Sequence, residues 1–169
     1  MRYHNILHDD IRNGMGLRVT LFVSGCSHNC KNCHNPETHD PNSGVEFTEE
    51  ALEEIKYYLD KKYTAGITLS GGDPLYPGNL DDILKLVKYI KEEYPTKDIW
   101  IYTGYTWEQI AVPHMITYEI LKYCDVAVTG PYIESFNDEN YPWAGSTNQR
   151  VVDVQKSLKE KTMILYDKK

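Results

Sequence analysis

Ile67-Thr68-Leu69-Ser70-Gly71-Gly72-Asp73-Pro74 is a short β-branched run that stops abruptly on a glycine pair. Such a pattern reads as a strand running into a turn. Downstream, Asn79 is placed to cap a helix, Asp81 and Asp82 fall in its first turn, and Leu80, Ile83, Leu84, Val87 and Ile90 make an apolar stripe that ends before Pro95. The same order then recurs. Ile99 to Tyr102 predicts a strand ending at Thr103-Gly104, and Thr106 with Gln109 matches a capping box for a short helix. Ile116, Ile120 and Leu121 continue at helical spacing, and Asp125 to Thr129 predicts a strand ending at Gly130-Pro131.

Upstream, Leu17 to Val23 predicts another strand, preceded by the turn Asn13-Gly14-Met15-Gly16. It feeds into Cys26-Ser27-His28-Asn29-Cys30-Lys31-Asn32-Cys33, which holds three of the chain's four cysteines. A polar loop follows through Gly44, and Thr48 then caps a helix carrying Leu52, Ile55 and Leu59. At the far end, Val151 to Val154 and Thr162 to Tyr166 are β-prone and are expected to pair as a C-terminal β hairpin.

Strand, loop and helix repeated about four times call for parallel strands joined by helical crossovers. The fold class expected is α/β, as an incomplete, laterally open parallel β/α barrel, because a closed eight-unit barrel takes about 250 residues. Ligands of such sheets bind at the C-terminal strand ends, so the cysteine loop and the turns at Gly71-Gly72, Thr103-Gly104 and Gly130-Pro131 should converge.

A single domain over residues 1–169 is expected from the length. The net charge of −7 argues against a nucleic-acid partner. No apolar run approaches the ~20 residues of a membrane span, and no segment resembles a signal peptide, so a cytoplasmic location is expected.

Three thiolates can hold three corners of an iron–sulfur cubane and leave one iron open, with Cys124 too remote in sequence to close it. A structural zinc site using the same cysteines with His28 or His34 has similar spacings and remains open at this point. The glycines of the Gly71-Gly72 turn let backbone approach a ligand, with N–H and C=O groups free to grip it, and Asp73 adds a charge; an ordinary strand-to-helix turn is the alternative. Arg18 reads as a surface ion-pair partner, and Cys124 as a packed thiol.

The C-x3-C-x2-C loop of Cys26, Cys30 and Cys33, with the strand-ending Gly71-Gly72-Asp73, resembles the radical S-adenosylmethionine enzymes. The order Gly25-Cys26 to His34-Asn35, Ser70 to Leu75, Asp98 to Tyr105 and Gly145 to Arg150 is similar to that of glycyl-radical-generating activases in that family. The resemblance implies a [4Fe-4S] cluster held by Cys26, Cys30 and Cys33, and S-adenosylmethionine contacted by Asn32, Cys33, His34, Ser70, Gly71, Gly72, Asp73 and Thr103. It implies as partners an anaerobic ribonucleoside-triphosphate reductase, through a glycine-bearing loop, and a low-potential electron donor. Asn32 departs from the family pattern, which often places an aromatic residue there. Two other readings stay in view, a radical enzyme acting on a small molecule and a zinc or iron–sulfur module without chemistry of its own. No physical role for Asn148, Gln149 and Arg150 follows from the sequence.

Overall fold

The computed structural model describes residues 1–28 and 30–167, which leaves Asn29 of the cysteine loop and Lys168 and Lys169 of the expected domain outside the described residues. Among the described residues, seven strands form one open sheet in the order β3-β1-β2-β4-β5-β6-β7. Its centre is the parallel set expected from sequence: β2 (Leu17–Val23), β4 (Thr64–Gly71), β5 (Asp98–Tyr102) and β6 (Val126–Thr129). The register pairs Val23 with Gly71, Leu69 with Ile101 and Tyr102 with Val128. The glycine-bearing ends of adjacent strands are thereby brought level.

The crossovers carry α1 (Glu49–Leu59), α2 (Leu80–Glu93), the short α3 (Trp107–Ile110) and α4 (Ile116–Leu121). Ala51, Ile55 and Leu59 of α1 and Ile83, Leu86, Val87 and Ile90 of α2 are buried, as a 3.6-residue period requires. They join Val19, Leu21, Ile67, Leu69, Ile99 and Ile101 in the main core. Alternation along β5 sends Trp100 to the other face, where it packs with Val126 and Val128 under Trp143 and Tyr166.

The capping box at Thr106 and Gln109 forms with both bonds. Thr48 and Asn79 occupy N-cap positions but make no side-chain cap bond. The Asn79 amide instead donates to the Ser24 carbonyl at 2.9 Å and the Asp73 carbonyl at 3.3 Å, tying the start of α2 to the end of β2.

Several expectations are corrected. An antiparallel strand that the sequence did not suggest, β1 (Arg2–Asp10), pairs with β2, and β3 (Val45–Glu46) pairs with β1. The expected C-terminal hairpin does not form as such. β7 (Arg150–Asp153) runs antiparallel to β6, and α5 (Val154–Glu160) intervenes, so the last β-prone run meets β7 only at a Val152–Leu165 bridge. Asp153 explains the break, because its carboxylate accepts from the Lys156 N–H and caps α5.

Arg18 is not a surface residue. It is fully buried, pairs with Asp98, donates to Thr68 Oγ1 at 2.8 Å and to the Met15 and Ile67 carbonyls, and lies 5.4 Å over the Trp100 ring. No helix among the described residues is long and apolar enough to cross a membrane.

Candidate functional site: a three-cysteine cavity

A cavity of about 370 Å³ opens at the C-terminal ends of the parallel strands. Cys26, Cys30 and Cys33 line it from the loop after β2, and Ser70, Gly71 and Gly72 from the end of β4. Tyr102 ends β5 and Thr103 and Gly104 follow it, and Gly130 follows β6. All four turns therefore meet, as expected of a parallel sheet. The N-terminal segment contributes Arg12 and Asn13, and the segment before β7 contributes Trp143, Gly145 and Gln149.

The glycine pair also does something that the sequence did not suggest. A Cβ on Gly71, whose φ is +106°, would stand 2.3 Å from the Val23 nitrogen, and one on Gly72 would stand 2.4 Å from the Gly25 carbonyl oxygen. The missing side chains thus admit the outgoing end of β2. The Gly72 N–H donates to the Val23 carbonyl at 2.8 Å and the Asp73 N–H to the Gly25 carbonyl at 2.7 Å, so these two donors hold the root of the cysteine loop and are not free to grip a ligand.

Of the residues singled out from sequence, Cys26, Cys30, Cys33, His34, Ser70, Gly71, Gly72 and Thr103 line the cavity, and Asn32 and Asp73 do not. Asn32 takes a positive φ of 55° and donates to Glu134 Oε1 at 2.6 Å, which draws its side chain to the segment after β6. His34 is exposed and leans on Tyr132, ring centroids 4.9 Å apart. Asp73 is fully buried, and its carboxylate accepts from His28 Nε2 at 2.7 Å, Thr103 Oγ1 at 2.9 Å, the Gly104 N–H at 2.9 Å and the Leu75 N–H at 2.8 Å.

The three loop cysteines are half-buried and form no disulfide. Burial pushes the Cys26 thiol up to about 11, against a backbone N–H from His28 that favours the thiolate. Burial likewise raises Cys33, opposed by the N–H groups of Asn35 and His34. Backbone donors already face two of the sulfurs, which suits thiolates bound to metal. The His39 Nε2 belongs to a residue of the wall and has no hydrogen-bond partner among the described residues. Cys124 is fully buried in the core, and its thiol bonds to the Ile120 carbonyl. Three sulfurs on one cavity with the fourth cysteine packed away fit a cluster with one iron open to a ligand.

A second grouping bears on zinc. Ligand atoms of Cys26, His28 and Asp73 lie within 4.8 Å of one another. In that trio, however, His28 Nε2 and Asp73 Oδ2 are bonded to each other, and Asp73 is saturated by its remaining donors.

The structure also accounts for Gln149. Its Oε1 accepts from the Gly145 and Ser146 N–H groups at 2.9 and 3.1 Å, and its Nε2 donates to the Gly130 carbonyl at 3.0 Å. The neighbouring Asn148 amide donates to the Pro131 carbonyl at 2.8 Å, and Arg150 Nη1 donates to the carbonyls of Thr147 and Asn148. This stretch ties the last cavity wall to the end of β6. Sequence reasoning also passed over Arg12, Asn13 and Tyr102. Only the position of Tyr102 at a predicted strand end could have flagged it.

An open α/β sheet whose strand ends gather three thiols around one cavity defines an iron–sulfur protein of the single-cluster type, and a family model described as a 4Fe-4S single cluster domain matches residues 12–152. Relatives matched over nearly their whole length carry a more particular name. The chain is 43% identical over 151 residues to the anaerobic ribonucleoside-triphosphate reductase-activating protein of Enterobacteria phage T4, covering 89% of this chain and 93% of that one. It is 44% identical over 153 residues to the protein of that name from Salmonella typhi, and 43% identical over 153 residues to that of Escherichia coli K12, each covering 89% of this chain and 97% of the relative. The chain belongs to the family of anaerobic ribonucleoside-triphosphate reductase-activating proteins.

Proposed function

We propose that this chain is a radical S-adenosylmethionine enzyme that activates an anaerobic ribonucleoside-triphosphate reductase, the role its relatives are named for. The observation that carries the reading is the placing of Cys26, Cys30 and Cys33 on one cavity beside the ends of β4 and β5, with Cys124 sequestered in the core. The chemistry that a bound [4Fe-4S] cluster and S-adenosylmethionine supply is one-electron cleavage of a carbon–sulfur bond, giving methionine and a 5′-deoxyadenosyl radical that takes a hydrogen atom from a backbone glycine of the partner.

The chain's own residues bind, orient and shield. Cys26, Cys30 and Cys33 would hold three irons. Ser70, Gly71, Gly72 and Thr103 form the wall for the methionyl end of S-adenosylmethionine, and the backbone from Asn32 to His34 runs where the nucleoside would lie. Tyr102 and Trp143 add aromatic surface to the wall, which excludes water from a reactive centre. A low-potential donor must deliver the electron from outside the chain.

Three measurements test the reading. Iron and sulfide analysis of anoxically purified protein separates a cubane from zinc. Formation of 5′-deoxyadenosine on reduction with dithionite separates an enzyme from an inert module, since intact S-adenosylmethionine would leave only the latter. Finally, an electron paramagnetic resonance signal of a glycyl radical on the reductase is expected, and its absence with a cleaving cluster would direct attention to a small-molecule substrate.

A further inference from the structure

His28 reaches from the cysteine loop back into the fold. Its imidazole is 16% exposed, and Nε2 lies 2.7 Å from Asp73 Oδ2. The Asp73 carboxylate also accepts from the Thr103 hydroxyl, the Gly104 N–H and the Leu75 N–H. With three other groups donating to the same carboxylate, Nε2 is assigned as the donor of the His28–Asp73 contact. The slot is shaped for the ring. A Cβ on Gly104 would stand 2.5 Å from His28 Cδ2, and the Tyr105 ring meets the imidazole edge-on at 4.4 Å. At its other end the same residue lies beside the first cysteine: ligand atoms of Cys26, His28 and Asp73 are within 4.8 Å of one another, and the His28 backbone N–H favours the Cys26 thiolate.

We infer that His28 is a positioning residue for the metal centre: held by Asp73 in a slot cut by Gly104, it fixes the backbone N–H beside Cys26 Sγ, and so sets the geometry and reduction potential of a cluster bound there. The inference rests on the reading of Cys26, Cys30 and Cys33 as cluster ligands. It gives Asp73 a part that needs no contact with S-adenosylmethionine, because the carboxylate is buried and fully bonded behind the wall. The physical basis is that N–H donors to ligating sulfurs stabilise the reduced, more negative cluster and raise its potential, and that residues behind the ligands orient them. A donor that is no longer held loses this effect.

The test compares wild type, His28→Ala and His28→Gln, each reconstituted anoxically with iron and sulfide. Iron and sulfide content, the midpoint potential followed by electron paramagnetic resonance, and the unfolding temperature of the cluster-free protein are read together. His28→Ala is expected to give a more negative potential, or to lose iron, in addition to any loss of cluster-free stability. His28→Gln, which keeps a side-chain N–H for Asp73, is expected to restore the wild-type values. Should His28→Ala fail to fold, Gly104→Ala, which displaces the ring without removing it, is expected to shift the potential in the same direction. Wild-type iron content and potential in His28→Ala, or a loss of stability alone, would overturn the brace while leaving the cluster reading intact. A wild-type protein that takes up no iron and sulfide would overturn the cluster reading itself, and the brace with it.

Discussion

The imidazole of His28 occupies the space that a side chain at position 104 would need, with the nearest ring atom 2.5 Å from where a Cβ on Gly104 would be. Two strand-end turns are thereby keyed together, one carrying the cysteines and the other ending β5.

Gly104→Ala is accordingly expected to force the ring out of its slot. Overpacking of this kind costs about 1–3 kcal/mol. Urea unfolding of the cluster-free protein should show the loss, and reconstituted iron content should fall with it. Unchanged values would mean that the loop yields without consequence.

Cys30→Ala is expected to abolish cluster retention, read as lost iron, sulfide and visible absorbance. Cys124→Ala should retain all three and lose only about 1 kcal/mol or so of stability, a typical cost of trimming a buried side chain, because its thiol lies in the core and faces no cavity. The opposite pattern would mean that the ligands are wrongly assigned.

Asp10 supports the N-terminal wall of the cavity. It is buried and accepts from the Asn13 amide at 2.6 Å, the Thr20 hydroxyl at 2.7 Å and the Arg12 N–H at 2.9 Å. Burial acts to raise its pKa, but these bonds and the Arg12 charge outweigh it and hold the carboxyl below its ordinary range. A carboxyl lowered in the folded state contributes stability that is fully present above its unfolded value, about 3.9, and is lost as pH falls through the lower native value. Asp10→Asn should therefore cost about 1–3 kcal/mol at pH 7. The gap to wild type should narrow in urea titrations as pH is taken below about 4.

Gln149→Ala would leave the Gly145 and Ser146 N–H groups and the Gly130 carbonyl without their partner. Unsatisfied buried groups cost about 1–3 kcal/mol each. Hydrogen exchange should accelerate at residues 145 and 146 while the amides of β2 and β4 keep their protection. Uniform acceleration would show that the segment is part of the global unfolding unit.

The parallel centre of the fold was legible because β2, β4, β5 and β6 are short apolar runs, each ending on a turn-forming glycine or the cysteine loop. β1 was not, since Arg2, His4, Asn5, His8 and Asp9 mask any alternation and only Ile6 and Asp10 are buried along it. Arg18 misled for a different reason. Its partner Asp98 stands 80 residues away, and local sequence gives no sign that the two meet. Cys26, Cys30 and Cys33 could be singled out as a group from their spacing, but the use of Gly71 and Gly72 could not, because the chain segment they admit is itself far off in sequence. Asn148, Gln149 and Arg150 became intelligible only once their partners around Gly130 and Pro131 were known.

The walls of the cavity run from Arg12 to Gln149, and this imposes an order of events on the growing chain. The three thiols are made when only β1 and β2 have been synthesised. The segment that completes their shelter is added more than a hundred residues later, after β6. A metal centre inserted during synthesis would stand open to oxygen until Gln149 has closed on Gly130, so a protected cluster belongs to the finished chain.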